Sequence, residues 1–287
     1  MTAIIFGING QDGFYLQQLL AAYGIQVHGV GRKDSDITNY EQVSALVQKL
    51  QPAFIFHLAA NSTTQHNVLF ENHATISTGT LNILEAVKNV SPQTKVFISG
   101  SGLQFKNENK PIKETDPFEA RDAYSVSRIQ SVYAARYYRR LGIKTYVGYF
   151  FNHDSPRRTE RHMAMKIADA AKRIANGSNE KIEIGDASVI KEWAFAGDIV
   201  QGIWLLVNQN KIYEANISNG EGHSITEWID TCFSLIAVDP AKHVVEKKMF
   251  IPEYKELVSD NSVIRSLGYQ PKVSFKELAV MMIENVD

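Results

Sequence analysis

The sequence is short of most features that would mark a specialised class of protein. It has one cysteine, Cys232, in 287 residues, which excludes an internal disulfide framework and fits a reducing compartment. Its neighbours Trp228, Ile229, Phe233 and Leu235 mark that thiol as a buried apolar group rather than a nucleophile. No apolar run reaches the length of a membrane span, and residues 1–10 read as a strand rather than a signal peptide. Neither sign of charge is in excess: 30 Lys and Arg face 31 Asp and Glu, and the pI is near 6.7. That balance argues against nucleic acid as the main partner, because phosphate-backbone binding shows as a basic surplus. Internal repeats and low-complexity segments are missing too. The expectation is a cytoplasmic protein with no membrane contact and no metal site.

What is present is an α/β pattern. Apolar residues make up 44% of the chain, enough for one large α/β domain or a cofactor domain with a smaller lobe. Near the N-terminus stands Ala3-Ile-Ile-Phe-Gly-Ile-Asn-Gly-Gln-Asp-Gly13. The first four residues read as a buried strand, and Phe14–Tyr23 has helical periodicity. Strand, glycine turn and helix place backbone N–H groups and a positive helix end where a pyrophosphate can sit. Gly7 allows the tight turn, Gly10 the close approach of phosphates, and Gly13 close packing of helix on strand.

Gly24–Gly31 is a second strand, and the residues at its end select the cofactor. An acidic residue there binds the ribose hydroxyls of NAD, whereas Arg accommodates the 2′-phosphate of NADP. Arg32 and Lys33 follow directly and favour NADP(H), while Asp34 leaves NAD(H) open. Further strands are expected at Pro52–Ala60, Lys95–Gly100, Lys144–Gly148, Lys181–Ile184 and Tyr213–Ile217. Helices are expected over about Tyr40–Leu50, His66–Val90, Asp122–Arg140, Arg161–Asn176 and Ala196–Val207. Ser224-Ile-Thr-Glu227 and Ser274-Phe-Lys-Glu277 have the capping-box form. This alternation predicts a Rossmann-type doubly wound parallel sheet with a smaller, mixed C-terminal substrate lobe. Residues 1–150, joined by 187–217, would form the dinucleotide domain, with 151–287 forming an interleaved lobe.

By its motifs the chain resembles the extended short-chain dehydrogenase/reductase superfamily, and within it the GDP-mannose 4,6-dehydratase family. The glycine turn with its Gln11-Asp12 pair, Leu58-Ala-Ala-Asn-Ser62 and Gly79-Thr-Leu-Asn-Ile-Leu-Glu-Ala86 are similar to family segments. So are Phe151-Asn-His-Asp-Ser-Pro-Arg-Arg158, Glu192-Trp193, Ala196-Gly-Asp198 and Leu267-Gly-Tyr-Gln-Pro271. Family enzymes oxidise a nucleotide-linked sugar at C4 by hydride transfer and then eliminate water. The resemblance implies a dinucleotide held by Gly7, Asn9, Gly10, Gln11, Asp12, Gly13, Arg32, Asp36, Ile37, Leu58, Ala59, Ala60 and Ser62, with Tyr124 and Arg128. For the sugar diphosphate it implies Asn152, Arg157, Lys166, Lys191 and Glu253.

The departures bear on the chemistry. The family's Thr and Glu acid/base positions are occupied by Gly100 and Gly102, and Arg128 replaces the Lys of Tyr-x-x-x-Lys. A tyrosine with an ordinary pKa of roughly 10 needs a neighbouring cation to act as a base near neutral pH, and Arg128 can supply that charge. Ser101 or Ser99 can polarise a substrate oxygen in place of the missing Thr. Without the Glu, the elimination step lacks its acid/base, commonly worth about 10²–10⁴-fold. The stretch from Gly31 to Asp36 is also shorter than in the dehydratases and looks more like dTDP-4-dehydrorhamnose reductases. The reading is an NAD(P)(H)-dependent reductase or dehydrogenase of a nucleotide sugar, working with Tyr124, Arg128, Ser101 and Ser99. A true dehydratase with other acid/base residues, or an inactive cofactor-binding homologue, are the alternatives. By analogy with the superfamily a homodimer is expected, through the helix that carries Tyr124 and Arg128 together with the preceding long helix.

Overall fold

The computed structural model describes residues 1–286. The strand β1 (Thr2–Phe6) is followed by α1 (Gln11–Ala22), β2 (Gln26–Val30), α2 (Tyr40–Leu50) and β3 (Phe54–His57). Then come α3 (Leu69–Asn72), α4 (Gly79–Val90), β4 (Lys95–Ser101), α5 (Ala123–Arg140) and β5 (Thr145–Phe150). The second half runs β6 (His153–Asp154), α6 (Met163–Ala175), β7 (Ile182–Ile184), β8 (Ile190–Glu192), β9 (Ala194–Phe195), α7 (Ala196–Val207) and β10 (Glu214–Ile217). It closes with β11 (Gly222–Ser224), α8 (Ile225–Leu235), β12 (Val244–Glu246), β13 (Glu256–Leu257), α9 (Ser262–Arg265) and α10 (Phe275–Glu284).

Six strands form one parallel sheet in the order β10-β5-β4-β3-β1-β2. From β1 the chain winds outward to β2, then crosses back to β3 and on to β4 and β5. The reversal leaves a crevice at the carboxyl ends of β1 and β3, the usual ligand position in such sheets. Strands buried on both faces explain the unbroken apolar runs in β1 and β3. One apolar cluster joins Val43 and Val47 of α2, Ile83 and Leu84 of α4 and Val132 of α5 to one face of the sheet. A second packs Leu16 and Leu20 of α1 and Ile199 and Ile203 of α7 on the other.

A third cluster is separate and belongs to the lobe: Ile167 and Ala171 of α6, Trp228 and Phe233 of α8, Leu278 and Met282 of α10. At its centre Trp193 and Trp228 stack with ring centroids 4.5 Å apart. The packing divides the chain somewhat differently from the expected boundaries. Residues 196–217 pack with the sheet, whereas Ala187, Val189 and Trp193 pack within the lobe.

Local chemistry accounts for several boundaries. The Asn39 side chain accepts the Gln42 N–H at 3.1 Å and starts α2. Ser224 and Ser274 form reciprocal boxes with Glu227 and Glu277 at the starts of α8 and α10. The single helix expected over His66–Val90 is instead divided by a π-helical segment, His73–Thr78. Ser77 Oγ donates toward Ser127 O and Gln130 Oε1 of α5 there, so tertiary bonds hold the widened turn. The short strands β8, β11 and β13 had no sequence signal, since three residues or fewer show no period. No helix among the described residues is long and apolar enough to cross a membrane.

Candidate active site

The glycine turn lies in the crevice beside β1 and β3. Gly7 has φ +92°, and a Cβ on it would stand 2.7 Å from Ala59 N. A Cβ on Gly13 would stand 2.5 Å from Gly7 O, so helix and strand pack backbone to backbone. Gly10 differs: its Cβ would meet only Gly7 O, at 3.4 Å. Gly10 caps the 12-residue α1 with no side-chain bond, so the N–H groups of its first turn have no intrahelical partner. A cavity of about 770 Å³ opens in front of them. These features fit a dinucleotide pyrophosphate.

Of the expected cofactor residues, Gly7, Asn9, Gly10, Arg32, Asp36, Ile37, Leu58, Ala59 and Ala60 line this cavity. Gln11 does not: its amide donates to His153 O at 3.1 Å and accepts from Ser155 Oγ at 2.9 Å, tying α1 to the chain after β5. Asp12 and Ser62 line a second cavity instead. At the end of β2, Asp34 Oδ2 accepts the Gly31 N–H at 2.8 Å. Asp36 Oδ1 accepts from both the N–H and the hydroxyl of Thr38. Arg32 and Lys33 are exposed on the rim.

The second cavity, about 390 Å³, meets the first at Leu58 and lies between the sheet and the lobe. Tyr124 reaches it because Asp122 caps α5, accepting the Tyr124 and Ser125 N–H groups at 2.8 Å each. One helical turn on, Arg128 is buried with its guanidinium carbon 4.9 Å from the centroid of the Tyr124 ring. Arg128 Nη1 donates to the Ser99 carbonyl and, at 2.8 Å, to Ser99 Oγ. Ser99 Oγ in turn donates to His57 O at 3.0 Å. Burial and the Arg128 charge push His57 down to a pKa of about 4, so this ring stays neutral. Ser99 is thereby committed within the protein. Ser101 differs: its oxygen accepts the Leu103 N–H at 3.2 Å, which leaves its own proton to donate.

The two glycines at the expected acid/base positions are held by packing. A Cβ on Gly100 would stand 2.6 Å from Tyr149 Cδ1. On Gly102 it would stand 2.7 Å from the Phe151 ring, and Phe151 is only 4% exposed. The carboxylates that line the cavity are Asp12 and Asp154, and each already has a basic partner. Asp12 Oδ1 is 2.9 Å from His153 Nε2, and Asp154 Oδ1 is 3.4 Å from Arg158 Nε. Burial opposes the charge on Asp12, but His153 and Arg158 outweigh it and hold its pKa below the ordinary value. Burial likewise opposes the charge on His153, and Asp12 outweighs it and raises its pKa. Glu108 pairs with Lys106 and Lys110 away from the cavity, and Glu114 accepts the Asn216 N–H.

Of the expected diphosphate residues, Asn152 and Lys191 line the cavity and three do not. Arg157 lies over the Phe14 ring, Lys166 donates to Glu183 O, and Glu253 accepts from Thr64. In their place stand Arg158, Arg161 and His162, together with the Asp12–His153 pair. Adjacent residues in the turn before α6 point in different directions, and no spacing rule announced which of them would face inward. Among the described residues no group of three or more His, Cys, Asp or Glu is placed to hold a metal ion.

A family model described as GDP-mannose 4,6 dehydratase matches residues 33–282. The chain belongs to this family. GDP-mannose 4,6 dehydratase 1 of Arabidopsis thaliana is 30% identical over 319 residues, covering 98% of this chain and 88% of that protein. A GDP-mannose 4,6-dehydratase of Vibrio cholerae is 29% identical over 261 residues, covering 80% of this chain and 70% of that protein. Among solved structures, RMD from Pseudomonas aeruginosa complexed with NADPH superposes with a TM-score of 0.89 at 20% identity, over 99% of this chain and 98% of that one. The Thermus thermophilus UDP-glucose 4-epimerase complex with NAD gives 0.84 at 19%, with the same coverage. The fold is therefore that of the epimerase/dehydratase enzymes. The curated relatives carry the name dehydratase, so they lend no support to the reductase or dehydrogenase reading, which rests on the cavity itself.

Proposed function

We propose that the chain is an NAD(P)(H)-dependent oxidoreductase that transfers hydride at C4 of a nucleotide-activated sugar, GDP-mannose-like or its 4-keto derivative, without losing water. One observation carries the second half of this reading: the buried Phe151 ring fills the space beside Gly102, where the family's elimination acid would stand. Asp12 and Asp154 are already paired with His153 and Arg158 and make poor substitutes.

A bound nicotinamide dinucleotide supplies the hydride donor or acceptor. The Tyr124 hydroxyl makes no hydrogen bond to the described residues and takes or returns the proton of the sugar hydroxyl. Arg128, fixed by Ser99, holds its guanidinium 4.9 Å from the centroid of the Tyr124 ring and orients that phenol in the cavity. Ser101 donates to the same sugar oxygen, and Ser99 serves Arg128 rather than substrate. NADP(H) is the preferred cofactor, because Arg32 and Lys33 have no carboxylate partner among the described residues while Asp34 is engaged by Gly31. A homodimer through the α4–α5 face is supported by exposed Leu81, Tyr133 and Tyr137.

The test is incubation of GDP-mannose and 4-keto nucleotide sugars with each cofactor, followed by mass spectrometry. Products should differ from substrates by two hydrogens, and Tyr124→Phe should lower turnover by roughly 10²-fold or more. A product lighter by one water would instead establish the dehydratase reading that the names of the relatives favour. Tight dinucleotide binding with no turnover of any sugar would support the inactive homologue.

A further inference from the structure

Two guanidinium groups in the substrate cavity share a single acceptor. Arg158 Nη1 lies 3.5 Å and Arg161 Nε 3.3 Å from Nε2 of His162. Guanidinium only donates, so this nitrogen is the acceptor, its one lone pair shared between the two, and the ring is neutral with its proton on Nδ1. Burial and the Arg158 charge push His162 down to a pKa of about 4, which keeps it an acceptor at neutral pH. Arg158 also donates to His153 O at 2.9 Å. Arg161 has no carboxylate partner among the described residues.

A second cation at the cavity also lacks one. Lys191 is 8% exposed, its ammonium 4.2 Å from the centroid of the Trp193 ring and without a hydrogen bond to the described residues. Burial lowers its pKa and Arg158 adds to the effect, against the opposing pull of Asp154. A desolvated ammonium with no hydrogen-bonded partner is costly. The cavity thus holds two basic side chains, Arg161 and Lys191, that no carboxylate hydrogen-bonds among the described residues. The 13-residue helix α6 begins next to His162 with no side-chain cap, so its first N–H groups add to the same potential.

We propose that His162 is a positioning residue for the substrate's anion: its neutral Nε2 gathers Arg158 and Arg161 into one fork beside Lys191, and the ligand of this fork is a diphosphate. That this diphosphate belongs to a nucleotide sugar rests on the function proposed above. The role of His162 holds for any diphosphate.

Calorimetric titration with inorganic pyrophosphate tests this, using the full chain with excess NADP⁺ to occupy the glycine turn. His162→Phe keeps a ring and removes the acceptor. It should weaken pyrophosphate binding about tenfold, the size of one charge-assisted hydrogen bond. His162→Gln returns an acceptor and should recover most of the loss, and Arg161→Met should weaken binding as His162→Phe does, with melting curves reporting that each variant is folded. Equal affinity in wild type and His162→Phe would overturn the proposal, as would absence of pyrophosphate binding by the wild type. Pyrophosphate binding that follows the expected order, with no nucleotide sugar turned over, supports His162 and sinks the enzymatic reading instead.

Discussion

Replacing Gly102 by Ala tests whether packing holds the glycine at the site of the missing acid. The added Cβ would stand 2.7, 2.9 and 2.9 Å from three atoms of the Phe151 ring. Phe151 lies in the cluster that includes Phe105, Tyr149 and Leu257, so it has little room to retreat. Overpacking of this kind costs about 1–3 kcal/mol. Against it stands a gain of about 0.4–1 kcal/mol from the stiffer unfolded chain. Taking the middle of each range, the net is a loss of about 1.3 kcal/mol, or roughly 3–5 °C in Tm for a chain of this size. The assay is a thermal melt of the wild type, Gly102→Ala, Phe151→Ala and the double variant. In the Phe151→Ala background the ring is gone, so only the gain of about 0.4–1 kcal/mol remains and the coupling equals the overpacking cost, about 1–3 kcal/mol. If Gly102→Ala melts with the wild type and shows no coupling to Phe151, then Phe151 does not hold this position and the argument against elimination fails with it. The companion variant Gly102→Glu should yield no product lighter by one water.

The two serines separate in the same assays: Ser101→Ala should lower turnover about tenfold with little change in Tm, while Ser99→Ala should lower Tm by releasing Arg128. A loss of activity confined to Ser99→Ala at unchanged Tm would reverse these assignments. Arg128→Lys restores the family's Tyr-x-x-x-Lys and should keep turnover within about tenfold, whereas Arg128→Met should lose roughly 10²-fold, read from the nicotinamide absorbance. The Asp12–His153 pair predicts a pH window. The depressed Asp12 contributes stability above its ordinary value of 3.8 and loses it as pH falls through the folded pKa. The raised His153 contributes below 6.5 and loses it as pH rises through the folded pKa. Asp12→Asn should therefore lower Tm more at about pH 5.5 than at about pH 9, and an equal loss at both would refute the pairing.

Helices α2 and α7 could be read to the residue, because each shows an apolar stripe between clear boundaries. The starts of α8 and α10 were legible from Ser224 and Ser274, since a capping box is a local bond between residues three apart. The π-helical turn at His73–Thr78 was not legible, because the bonds that hold it come from Ser127 and Gln130 on another helix. In the site, the glycine turn was read correctly as a strand–turn–helix unit lining a crevice, yet Gln11 within it turned out to be a tie between α1 and the 153–155 segment. Among the expected diphosphate residues Arg157 faces Phe14, while its neighbour Arg158 faces the cavity.

The sequence by itself determined the parallel sheet, the crevice with its glycine turn, and the family. Strand periods, glycines with restricted conformations and motif strings are local and survive in one dimension. Only the tertiary structure decided which groups are still available for chemistry. Ser99 and Ser101 are two residues apart in one strand, but Arg128 claims the first and leaves the second its proton. Whether Gly102 is a deletion or a packed position depends on Phe151, which comes from the neighbouring end of the sheet. That Arg158 and Arg161 both lie within 3.5 Å of His162 Nε2 was not visible in the sequence. Such assignments depend on partners distant in the chain and on burial, which sets the cost of leaving a polar group unpaired.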